Sequence, residues 1–116
     1  MHEMSLIGDV IEVAQRYAKQ NGASRVTRVD LRVGEMRDVV DELMQSCFDY
    51  LSKDSMVQGA QLHFERVPLK ARCNACHVVF PVDLRDSHKK ICPDCACEDV
   101  SLFSGWEFII ESIEVE

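Results

Sequence analysis

Cys73-Asn74-Ala75-Cys76 and Cys92-Pro93-Asp94-Cys95 each carry two thiols with two residues between them, and 15 residues separate the pairs. This spacing lets one tight turn aim two sulfurs at a common point, half of a tetrahedron, and two such turns complete an all-sulfur site. Tetrahedral thiolates suit Zn(II), with iron the chemical competitor. Four thiolates also close the coordination sphere, so the expected role is structural and not catalytic. The surrounding segment, about 70–100, holds five of the six cysteines and two of the three prolines but few large apolar residues. It lacks the side chains for a core, and metal-binding energy is expected to substitute for one.

Other donors crowd this segment. Cys97 lies one residue beyond Cys95, either as a looser substitute ligand or as a thiol beside the site; C-x₂-C is the usual knuckle, which favours the second reading. His77 and His88 are expected as exposed loop residues, since four better-spaced thiolates are already present. Lys89 and Lys90 read as a solvated turn.

Outside the segment the periodicity is that of an ordinary α/β domain. Residues 4–20 place Met4, Ile7, Ile11, Ala14 and Ala18 on one helical stripe, widened by Val10 and Tyr17. Ser5 offers a cap at its start and Asn21-Gly22 a left-handed stop. Residues 25–33 alternate, with Thr27, Val29, Leu31 and Val33 on one face and Arg28, Asp30 and Arg32 on the other, until Gly34 breaks the strand. Asp38 then offers the N-cap of a second helix through about Ser52, with an apolar stripe of Val40, Leu43, Met44, Cys47, Phe48 and Leu51. Cys47 falls on that stripe and reads as a buried, inert thiol. A strand near 61–67 ends at Pro68, and Trp106 to Val115 reads as a returning strand. The expected fold is α+β: two helices on a three-stranded sheet, formed by residues 1–69 plus 101–116, with residues 70–100 inserted as a zinc-ribbon-like four-cysteine domain.

Composition narrows the function classes. With 116 residues, 13 Lys+Arg and 20 Asp+Glu, the formal charge is −7, and hydrophobic residues make up 47%. An ordinary globular composition without a basic footprint argues against duplex binding. No apolar run approaches the ~20 residues of a membrane span, and no basic, apolar leader opens the chain, so a cytoplasmic location is expected. A reducing compartment also favours metal over disulfides for the clustered thiols.

The amino terminus suggests a second metal site. A bulky His2 should leave Met1 in place, so the α-amine, the His2 amide nitrogen and His2 Nδ1 can chelate one ion in a nearly planar array. Planar nitrogen fields suit Ni(II) or Cu(II), and Glu3 is available as a further donor. By itself this is a weak pattern, because any chain with His2 has those atoms and termini usually fray. The helical stripe beginning at Met4 strengthens it by holding the terminus in place.

Taken together, Met1-His2-Glu3-Met4-Ser5-Leu6, Gly34-Glu35, Ala71-Arg72-Cys73-Asn74-Ala75-Cys76 and Cys92-Pro93-Asp94-Cys95 resemble the HypA/HybF nickel metallochaperones over essentially the whole chain. The resemblance implies an α/β nickel-binding domain carrying a zinc domain. It implies nickel ligation by His2, with Met1 and Glu3 beside it, and structural zinc on Cys73, Cys76, Cys92 and Cys95. It further implies a carrier, not an enzyme, that works with a HypB-type GTPase and delivers Ni(II) to the [NiFe]-hydrogenase large subunit precursor, with urease maturation as a second destination in some members. Cys97 and the His77 that follows Cys76 depart from the family pattern, and their roles stay open, as does the choice between monomer and homodimer. The competing reading is a zinc-ribbon module that binds nucleic acid or regulates a protein. Lys70, Arg72, Arg85, Lys89 and Lys90 favour it locally, while the net charge and the lack of interleaved aromatics oppose it.

Overall fold

The chain order is α1 (Glu3–Gln20), β1 (Val26–Gly34), α2 (Asp41–Leu51), β2 (Gln61–Val67), β3 (Lys70–Cys73), β4 (Val79–Pro81), β5 (Val100–Ser104) and β6 (Phe108–Val115). The structure is a computed structural model that describes residues 3–37, 39–83 and 91–116, with Glu3 as backbone only. Asp38 and residues 84–90 therefore lie outside the described residues, and with them the expected cap and Arg85, His88, Lys89 and Lys90.

Helix α1 buries Ile7, Val10, Ile11, Ala14 and Ala18, while Met4 and Tyr17, at the margins of the expected stripe, are about half exposed. Ser5 sits inside the first turn and does not cap it, because the helix is already formed at Glu3. The other end closes as expected. Gly22 takes a φ of +66°, and its N–H reaches Lys19 O while Ala23 N–H reaches Ala18 O, the paired bonds of a Schellman stop.

Strand β1 buries Val26, Val29, Leu31 and Val33 and continues through Gly34, so that glycine ends the strand from within. Helix α2 begins later than its sequence pattern suggests. Its N-cap position is Val40, in extended conformation and with no side-chain cap bond. Only Met44 and Phe48 of its apolar stripe are buried; Val40, Leu43 and Leu51 are exposed and Cys47 is half-buried. The helix meets its own domain along one margin of that stripe and not its centre.

The first sheet has the order β2-β1-β6. Val26 N–H donates to Met56 O and Glu35 N–H to Val67 O, so β1 and β2 run the same way, joined by the helical crossover a parallel pair requires. Strand β6 returns antiparallel on the other side of β1, with Glu116 bonded to Arg25 at one end and Glu107 to Gly34 at the other. This is the expected α+β arrangement of two helices with a three-stranded sheet.

A second sheet, β4-β3-β5, surrounds the cysteines. Ala71 pairs with Phe80 on one side and Leu102 on the other, and Arg72 with Val79 and Ser101. Lys70 pairs with Ser104, so Phe103 is the extra residue of a β-bulge. These strands are three to five residues long, too short for a period of two to stand out in the sequence. The chain forms two compact units, Met1–Arg32 with Asp38–Glu65 and Ile109–Glu116, and Val33–Arg37 with Arg66–Phe108.

Candidate metal centre

The two Cys-x-x-Cys turns are the same loop built twice. In the first, Cys73 N–H donates to Val78 O at 2.9 Å and His77 N–H to Cys73 O at 3.0 Å; in the second, Cys92 N–H donates to Cys97 O and Ala96 N–H to Cys92 O, both at 2.9 Å. The residue after each second cysteine takes a left-handed conformation, with φ of +69° at His77 and +61° at Ala96. Cys76 N–H points at Cys73 Sγ and Cys95 N–H at Cys92 Sγ, each at 3.4 Å. Backbone N–H groups that converge on sulfur in this way favour thiolate.

The turns face each other and bring all four sulfurs within 4.8 Å of one another. Cys73 Sγ lies 3.5 Å from Cys95 Sγ, and Cys76 Sγ is the same distance from Cys92 Sγ. A tetrahedral ion with M–S bonds of ~2.3 Å needs sulfur–sulfur edges of ~3.8 Å, so the cluster has the size of a four-thiolate metal site consistent with zinc. Cys73 and Cys92 are buried, while Cys76 and Cys95 face outward.

The acidities follow from this crowding. The N–H groups of Cys76 and, after the opposing effect of burial, Ala75 pull the Cys73 thiol down to about 6. Cys97 N–H on the Cys95 sulfur acts in the same direction, but the neighbouring sulfurs of Cys73 and Cys92 and burial outweigh it and push Cys95 up to about 12. Cys76 is likewise raised, with Val78 N–H outweighed by Cys92, burial and Cys73. Four thiols at this spacing repel one another's charge, and a divalent cation is what relieves that repulsion.

The repeat also places the two residues that the sequence left open. Cys97 occupies the position of Val78 in the other turn, its carbonyl closing the loop and its side chain packed beside Val78, Val82 and Val100 against Ala71, Cys73, Phe80 and Cys92. His77 is the counterpart of Ala96; its Nδ1 is 3.2 Å from the Arg72 guanidinium, away from the group of four.

Gly34-Glu35 has a steric reason that the sequence did not disclose. A β-carbon on Gly34 would stand 2.0 Å from Gly105 O, and one on Gly105, itself at φ +114°, 2.7 Å from Leu69 Cα. The Glu35 carboxylate accepts Leu69 N–H and the Glu107 carboxylate accepts Gly105 N–H, both at 2.6 Å. Two glycines let the backbones touch, and two carboxylates take up the N–H groups that this leaves.

Of the residues expected to bind nickel, Met1 and His2 lie outside the described residues, as does the side chain of Glu3. What is described is that helix begins at Glu3. Among the described residues no helix is long and apolar enough to cross a membrane.

A small α+β protein with a paired thiolate knuckle is the class that fold and site define. The chain belongs to the HypA family: residues 1–115 match the family described as hydrogenase/urease nickel incorporation, metallochaperone, hypA. It is 37% identical to the hydrogenase maturation factor HypA of Dehalococcoides mccartyi (strain ATCC BAA-2266 / KCTC 15142 / 195) over 116 residues, covering the whole of this chain and 95% of that one. It is also 37% identical to that of Chlorobaculum parvum, with both chains covered in full. Among solved structures, the solution structure of a HypA protein matches with a TM-score of 0.77 and 26% identity, covering 100% of this chain and 97% of the other. That of the Ni metallochaperone HypA from Helicobacter pylori matches at 0.66 and 27%, covering 99% and 97%.

Proposed function

We propose that the chain carries Ni(II) at its amino terminus during [NiFe]-hydrogenase maturation and holds Zn(II) on Cys73, Cys76, Cys92 and Cys95 as a structural ion. The α-amine of Met1, the His2 amide nitrogen and His2 Nδ1 are the nickel donors, with Glu3 beside them. The observation that carries this reading is the match to a nickel-incorporation family from residue 1 onward, on a chain that reads Met1-His2-Glu3. Helix α1 supports it, because a helix formed at Glu3 fixes the base of the chelate. The four-sulfur site is closed, so it serves the fold and leaves transport to the other end.

The proposed role is delivery, not catalysis. An exposed chelate with few donors binds nickel and still surrenders it when a partner's ligands replace its own one at a time. A HypB-type GTPase and the hydrogenase large subunit precursor are the proposed partners in the cytoplasm, and urease maturation a second destination. Both the amine and the imidazole must lose protons to bind, with reference pKa values near ~7.7–8.0 and ~6.5, so nickel affinity falls as pH falls.

Calorimetric titration of untagged, zinc-loaded protein with Ni(II) tests the assignment. Stoichiometric uptake is expected in the parent and none in His2→Ala, with zinc content and fold unchanged. Equal nickel affinity in the two proteins overturns it.

A further inference from the structure

The four sulfurs of the metal group are not equivalent. Cys73 and Cys92, the first of each pair, are buried, with exposures of 0% and 2%. Cys76 and Cys95, the second of each pair, face solvent, and their chain neighbours Ala75, His77, Asp94 and Ala96 are exposed as well. Each exposed sulfur has a buried one 3.5 Å away. The two contacts, Cys95 with Cys73 and Cys76 with Cys92, both cross from one turn to the other. Closing such a contact to a disulfide of ~2.05 Å brings the sulfurs together by only ~1.5 Å. Exposure decides which thiolate an oxidant meets first, and the thiolate within reach decides where the disulfide forms.

We propose that Cys76 and Cys95 are the sites at which a hydroperoxide oxidises this centre, and that the products are the cross-turn disulfides Cys73–Cys95 and Cys76–Cys92. This rests on the assignment of structural zinc to the four cysteines. Each exposed thiolate attacks the peroxide O–O bond, takes up one oxygen as a sulfenic acid and releases hydroxide. The buried thiolate beside it then attacks that sulfur, forms the S–S bond and expels the oxygen as a second hydroxide. Two hydroperoxides accept the four electrons that four thiolates give up, and the sulfurs, no longer anionic, release Zn(II) without changing its charge. Within-turn bonds, Cys73–Cys76 and Cys92–Cys95, would leave the two turns unjoined. The cross-turn bonds tie together the same turns that the ion ties. Oxidation therefore removes the metal, and with it the two negative charges of a zinc tetrathiolate, but keeps the packing around Ala71 and Phe80.

The test treats the full, zinc-loaded chain with hydrogen peroxide, follows Zn(II) with a chromogenic chelator and maps disulfides by electron-transfer fragmentation of acid-quenched digests. Zinc release is expected with a mass four hydrogens below the reduced apoprotein and with the two cross-turn bonds. Dithiothreitol with added zinc should restore the starting state. The oxidised, zinc-free chain should keep its amide protection at residues 70–73 and 79–81. Substoichiometric iodoacetamide should label Cys76 and Cys95 about tenfold faster than Cys73 and Cys92. Serine at either exposed position removes a ligand, so the control is Cys47→Ser/Cys97→Val, which should release zinc and form the same bonds as the parent. Within-turn bonds, a bond to Cys97, zinc kept under peroxide, zinc lost without disulfides, or labelling that reaches the buried pair first overturns the proposal. A reduced chain that holds no zinc on these cysteines overturns instead the zinc assignment beneath it.

Discussion

The unit around α1 and α2 and the unit around the cysteines reach stability by different routes. The first buries Ile7, Val10, Ile11, Ala14, Val29, Leu31, Met44, Phe48 and Val57, a side-chain core of the usual kind. Among the described residues, the buried cluster around the knuckles is Ala71, Cys73, Phe80 and Cys92, and Cys73 and Cys92 are members of the metal group itself. Removal of apolar side chains should hurt the first unit, and removal of one ion the second. In such a chain metal content and hydrophobic content are separable variables.

Metal removal is the largest expected effect. Structural zinc in small domains binds with ~10–16 kcal/mol at neutral pH, which exceeds what the small apolar cluster around the knuckles can supply. Treatment with a strong chelator, or the substitution Cys92→Ser, should abolish amide protection at residues 70–73 and 79–81 while leaving it at Val10–Ala14. Hydrogen exchange read residue by residue makes the measurement, and retained protection around Phe80 in metal-free protein would break the contrast. The reciprocal experiment is Phe48→Ala. It should cost ~3–5 kcal/mol in denaturant unfolding of the first unit, with zinc stoichiometry unchanged.

The same contrast explains what could be read from the sequence. A core made of side chains leaves a periodic trace, and α1, β1 and β2 fall where Ile7–Ala18, Val29–Val33 and Leu62–Phe64 place them. A metal site leaves an even clearer trace, because only a fixed spacing brings four sulfurs together. Strands β3, β4 and β5 left none: they are paired by backbone bonds around two turns, and Ala71 and Phe80 are too few to set a period. Asp38 resembles a cap in the sequence, but α2 begins at Asp41 behind Val40, whose side chain makes no cap bond. Its stripe is only partly buried, because apolar spacing reports which face is apolar, not what covers it. Gly34 looked like a strand breaker, when its task is the contact with Gly105.

A smaller effect sharpens the reading of the knuckles. If Cys97 is the counterpart of Val78, a packing residue, then Cys97→Val should keep one zinc per chain and change stability by less than ~1.5 kcal/mol, as for other volume-conserving swaps. Cys95→Val should lose the ion. Metal analysis of the two purified variants decides between them, and zinc lost from the Cys97 variant with zinc retained in the Cys95 variant would exchange their roles.

The smallest effect belongs to the polar face of the first sheet, where Asp30 accepts a hydrogen bond from Ser112 and pairs with Arg28 at 2.8 Å. The Ser112 hydroxyl, with Arg28 adding to it against a modest desolvation, holds the Asp30 carboxyl below its usual value. A depressed carboxylate stabilises the fold above its unfolded pKa, near ~3.9, and that contribution is lost as pH falls through the lower folded value. Arg28 is substantially exposed, so solvent screening limits the gain to about 1 kcal/mol. Thermal unfolding of Asp30→Asn should therefore show a deficit of a few degrees at neutral pH that closes as the solution is acidified below the carboxylate range. A deficit that stays constant through acid would mean that Asp30 acts by shape and not by charge, leaving the hydrogen bond from Ser112 to a neutral acceptor as the whole of its contribution.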